Sequence, residues 1–140
     1  MTQQQNGVKT IEGDTLIRKV LLTNAVSSGA VGLLLLMFPG FARSWTGLDN
    51  LSALAGTGVF LLIVVALLLW TATRNLISPR LVLFFAILDL LWVIDSVLLL
   101  GVNGSVTAIG IWAIIVVAAV VGVFASFEMS YYWHNRYYRK

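Results

Sequence analysis

Four stretches of about 22 residues, each almost wholly apolar, alternate along the chain with short polar segments. They occupy residues 15–38, 51–72, 79–100 and 105–127. At 1.5 Å per residue a helix of that length measures about 33 Å, enough to cross a hydrocarbon core of about 30 Å with modest tilt. The pattern predicts an all-α integral membrane protein, a four-helix bundle with short loops. A polar, unstructured tail is expected over residues 1–14, and an aromatic and basic tail over 133–140.

Local signals mark the ends of these segments. Asp14 or Thr15 can cap the first, and Pro39-Gly40 closes it. The apolar run from Val20 to Phe38 is longer than a secretory signal core and lacks a clean small-residue cleavage site, so a retained helix is expected. Asp49 or Asn50 precedes the second. Ser78-Pro79 opens the third with an N-cap and a proline at the first helical position, where a missing amide hydrogen does no harm. Gly101-Val102-Asn103-Gly104-Ser105 supplies residues suited to a tight reversal before the fourth.

Charge orients the bundle. With four spans, Lys9, Arg18, Lys19, Arg74, Arg80, Arg136, Arg139 and Lys140 fall on one side and only Arg43 on the other. The positive-inside bias then predicts that both termini are cytoplasmic, in a plasma membrane or a bacterial inner membrane.

Composition agrees: 59% of the 140 residues are hydrophobic and 11% charged, against about 25% charged in soluble domains. The formal charge of +3 reads as attraction to anionic lipid head groups rather than to nucleic acid, because no recognition module accompanies it. The absence of cysteine removes thiol catalysis and thiolate metal sites. A single histidine, His134, cannot make a bis-histidine haem site within one chain. No metal or cofactor is expected. Neither a metalloprotease helix motif, a nucleotide-binding glycine loop nor a nucleophile elbow is present, so a non-enzymatic protein is the expectation.

The third segment carries the anomaly, two aspartates within apolar surroundings. Counted from Pro79, Asp89 lies about 15 Å deep, near the midplane, and Asp95 about 24 Å deep. A lipid-facing aspartate at a helix centre costs about 2.5–3.5 kcal/mol on insertion scales, so Asp89 should face the bundle, a wet cavity or another subunit. Asn24 on the first segment lies about 14 Å deep, which makes an Asn24 to Asp89 hydrogen bond the first contact to expect. Ser27 adds a polar group beside Asn24.

Six residues separate the two acids, a net rotation of about 240°, so they do not form a dyad. Arg43 and Thr57 are the expected partners of Asp95. Trp92, between the acids, and Trp112 are candidate contacts for an amphipathic ligand. Small residues at Ala25, Ser28, Gly29 and Gly32 on the first segment, Ala53, Gly56 and Gly58 on the second, and Gly110, Ala118 and Gly122 on the fourth allow close helix approach. Tyr131, Tyr132, Trp133, Arg136, Arg139 and Lys140 read as an interface anchor.

The functional expectation is a structural, accessory or protein-interaction subunit, with a second copy or another membrane protein as partner. Two alternatives stand beside it: an oligomeric proton-coupled transporter or channel using Asp89, and a binder of lipid or amphipathic ligand.

Overall fold

The computed structural model of the chain describes residues 2–102 and 104–136, with side chains from residue 14 onward. Among the described residues there are five helices: α1 (Thr2–Met37), α2 (Pro39–Thr46), α3 (Leu51–Ala72), α4 (Pro79–Val102) and α5 (Ala108–Asn135). Four of them, from Asp14–Met37 of α1 and the whole of α3, α4 and α5, are long and apolar enough to span a membrane. The all-α four-span architecture expected from the apolar pattern is therefore present.

Several boundaries differ from expectation. The first helix begins at Thr2 rather than after residue 14, so the amino-terminal segment is not an irregular tail. Helix extension adds one hydrogen bond per residue fixed, and an existing long helix removes the cost of nucleation. Asp14 is accordingly a mid-helix residue and not a cap. The segment after Met37 is not a plain loop; Pro39 opens α2, which ends at Gly47 in the left-handed conformation, φ 77°.

The turn before α5 is longer than expected. Thr107, not Ser105, caps the helix, its hydroxyl accepting from the Gly110 amide at 3.0 Å. Asn103 lies outside the described residues. At its other end α5 continues to Asn135, past both the expected stop near Phe127 and the further bound at Tyr132.

α1 packs along α3 and α4 along α5, and these two pairs meet chiefly through α1 and α5. The backbones of the first pair come close where Gly32 faces Gly58; a Cβ on Gly58 would lie 2.7 Å from the Gly32 carbonyl oxygen. Gly56, by contrast, faces open space. Without an aqueous hydrophobic drive between apolar helices, such contacts are a main source of association.

The end of the bundle that holds Asp14, Ala72 and Asn135 is called the terminal end here, and the opposite end the α2 end. A core of Leu21, Ala25, Leu68, Val82, Phe85 and Phe124, among others, fills the terminal half. It is knit by Arg18, whose guanidinium donates to the Ala72 carbonyl at the end of α3 and, at 2.9 Å, to the Arg74 carbonyl in the link beyond it. The Tyr131 hydroxyl donates to Asp14 Oδ1 at 2.5 Å, joining α5 to α1. At the α2 end, the Thr107 amide donates to the Thr46 carbonyl at 3.0 Å and its hydroxyl to that of Trp45.

Candidate functional site

Asn24, Asp89 and Glu128 converge from α1, α4 and α5, and all three are buried, at 1%, 8% and 0% exposure. Each sits on the inward stripe of its helix, flanked at helical spacing by core side chains: Val20 and Leu21 on α1, Phe85 and Ala86 on α4, Phe124 and Tyr131 on α5. Asn24 Nδ2 donates to Asp89 Oδ2 at 2.8 Å and, more weakly, to Glu128 Oε1 at 3.4 Å. Ser28 Oγ donates to Asn24 Oδ1 at 3.0 Å, which orients the amide so that its nitrogen faces both acids.

The cluster is short of donors. Four carboxyl oxygens face one amide nitrogen with two hydrogens. Glu128 Oε2 is buried and makes no hydrogen bond among the described residues, and Asp89 Oδ1 makes none either. No basic side chain hydrogen-bonds to either acid among the described residues. An unsatisfied buried acceptor costs about 1–3 kcal/mol. The arrangement is one in which an added proton, or another positive donor, has a place ready.

Asp89 also lines a cleft of about 180 Å³ between the two helix pairs. All four long helices contribute: Ser27, Ser28 and Val31 from α1, Phe60, Leu61 and Val64 from α3, Leu88 and Trp92 beside Asp89 from α4, and a row of valines from α5. The cleft extends from the cluster toward the α2 end, and its walls are almost wholly apolar. Ser27 spends its hydroxyl on the Thr23 and Asn24 carbonyls of its own helix, at 3.0 and 3.1 Å.

The other expected residues do not join this site. Asp95 is exposed on α4 and makes no hydrogen bond or ion pair among the described residues. Neither expected partner reaches it: Arg43 pairs with Asp49 at 2.9 Å instead, six residues away on the same surface segment, and Thr57 is half-buried on α3 with no hydrogen bond from its side chain among the described residues. The local pair forms because α2 turns Arg43 toward the short link to α3. Trp112 is 68% exposed and does not line the cleft.

Nor is the aromatic carboxyl end one uniform anchor. Tyr131 is buried against the core and bonded to Asp14, because α5 continues helically and keeps that position on the inward stripe. Tyr132 is half-buried, Trp133 exposed, and the Arg136 guanidinium stacks 3.7 Å over the Trp133 ring. Arg139 and Lys140 lie outside the described residues.

Glu128 is the residue that sequence reasoning missed. Placed one position beyond an expected helix end at Phe127, it reads as an interfacial charge. With α5 ending at Asn135, it lies seven residues, about 10 Å, inside the helix. A signal was available: Phe124, Glu128 and Tyr131 share one face at helical spacing, which would carry the helix onward. The chain matches no known protein family, no curated protein and no solved structure.

Proposed function

We propose that this chain is a small non-enzymatic integral membrane protein, a structural or accessory subunit, with both termini in the cytoplasm of a plasma membrane or bacterial inner membrane. The observation that carries this reading is the Asn24 amide, which is shared between an acid of α4 and an acid of α5. The deepest polar groups are spent on holding helices to one another, the ordinary use of such groups in membranes. Broad apolar faces, with Ile63, Ile94 and Val116 all exposed, suit lipid or the helices of a partner, either a second copy or another membrane protein. The eight basic residues on the terminal side suit anionic head groups.

Reconstitution in proteoliposomes tests this. The expected result is no proton-driven flux from the wild-type protein, and weakened packing of α1 against α4 and α5 in Asn24→Leu, measured by cross-linking of cysteine pairs introduced across those helices. A flux that depends on pH and disappears in both Asp89→Asn and Asp89→Ala, with fold and oligomeric state intact, overturns the subunit reading in favour of transport.

A second reading, binding of an amphipathic molecule, is favoured by the cleft that runs up to Asp89. Pockets for small molecules combine apolar walls with a few placed polar groups, and this one has that composition.

A further inference from the structure

We propose that the cleft between the two helix pairs binds a small hydrophobic ammonium compound, with Asp89 as its counter-charge. The proposal rests on the reading of the cleft as a ligand site and names the class of ligand.

Three observations point to a cation with a compact apolar body. Asp89 is only 8% exposed, yet it belongs to the cleft wall. Its Oδ2 is committed to Asn24 while Oδ1 has no partner among the described residues. The donors beside it are already in use: the Asn24 amide serves both acids, and Ser28 serves the Asn24 carbonyl. An acyl chain alone would fill the apolar walls but leave that oxygen without a donor, at the usual penalty for a buried polar group. An anion would meet the Asp89 carboxyl group. An ammonium group supplies both hydrogens and positive charge.

The walls set the rest of the ligand. Val117 and Val120 of α5 and Phe60 and Leu61 of α3 offer only apolar surface, and Trp92, one turn from Asp89 on α4, adds a ring of the kind that attracts organic cations. An apolar cavity of about 150 Å³ accommodates benzene, so 180 Å³ suits one ring or a short chain, with the nitrogen at its inner end.

The test uses the full chain in nanodiscs of zwitterionic lipid, which removes anionic head groups as a competing site. The probes are 2-phenylethylammonium and its neutral counterpart 2-phenylethanol. Binding is followed by fluorine NMR of 5-fluorotryptophan-labelled protein, with the Trp92 resonance identified from Trp92→Phe. The expected result is a saturable shift of that resonance at one ammonium per chain, at least tenfold tighter than the alcohol. Asp89→Asn should lose that preference, with the ammonium and the alcohol bound about equally. Val117→Phe, which fills the cleft without touching the acid, should abolish the response to both.

Equal affinity for the two probes in the wild-type protein overturns the ammonium class and leaves the cleft as a ligand site. No saturable response to either probe overturns both readings. Unchanged ammonium binding in a folded Asp89→Asn removes Asp89 as the counter-charge. Should that variant fail to fold, the comparison of probes on the wild-type protein and on Val117→Phe decides the matter.

Discussion

Asn24 Nδ2 lies 2.8 Å from Asp89 Oδ2, so a single amide in α1 holds an acid sixty-five residues away in α4. The same nitrogen reaches Glu128 of α5 at 3.4 Å. Replacing Asn24 by Leu removes this donor and leaves both acids facing one another without it. Interhelical hydrogen bonds in membranes contribute about 1–2 kcal/mol in model peptides and about 0.6 on average in a natural bundle. Asn24→Leu should therefore lower stability by about 1–2 kcal/mol in a reversible detergent unfolding titration. Asn24→Gln should recover part of that loss. A Leu variant as stable as wild type would show that the amide contributes nothing net.

The close backbone approach of α1 and α3 at Gly32 and Gly58 gives a sharper contrast. A Cβ at Gly58 would meet the Gly32 carbonyl oxygen at 2.7 Å and the Leu36 nitrogen at 2.8 Å, both backbone atoms that yield only if the helices part. Overpacking of this kind costs about 1–3 kcal/mol. Gly58→Ala should lower the melting temperature followed by intrinsic tryptophan fluorescence. Gly56→Ala, two residues away and facing open space, should leave it unchanged or raise it through helix propensity.

Gly47 has φ 77° and its added Cβ would collide with the Ser105 carbonyl oxygen. Gly47→Ala should loosen the link between α2 and the start of α5. The expected readout is faster hydrogen exchange at the Thr107 amide, which donates to the Thr46 carbonyl, with little change at the terminal end. Uniform loss of protection along all helices would contradict a local role.

Arg43 and Asp49 form an ion pair whose side chains are 50% and 78% exposed. Pairs so open to solvent contribute about 0–1 kcal/mol. Asp49→Asn should change stability by less than about 1 kcal/mol at 0.15 M salt, and by still less at high salt. A larger loss would mean that α2 depends on this pair for its position.

The charge asymmetry predicts sidedness. The natural chain has no cysteine, so Asn75→Cys and Ser105→Cys each carry one reporter on an exposed link at opposite ends of the bundle. In intact cells a membrane-impermeant maleimide should label Ser105→Cys and spare Asn75→Cys until the membrane is opened. The reverse pattern would overturn the cytoplasmic placement of both termini.

Much of the architecture was legible because lipid imposes a simple rule: every backbone polar group must be satisfied internally, so long apolar runs become helices. That rule locates four spans from residue order alone, and Pro79 and Asn50 mark starts through local geometry that needs no tertiary partner. Depth along a helix is likewise a count of residues, which is why Asn24 and Asp89 could be matched. The sequence could not place Glu128 at their level, since that depends on where α5 stops and how far it slides along its neighbours. Nor could it direct Arg43 to Asp49 rather than Asp95, or turn Tyr131 inward to Asp14. Those outcomes depend on which face of each helix meets which neighbour, and apolar residues on all sides of a span leave that rotation undetermined. Tertiary packing decided it, through a few close contacts such as Gly32 with Gly58 and a few buried polar groups that had to find partners.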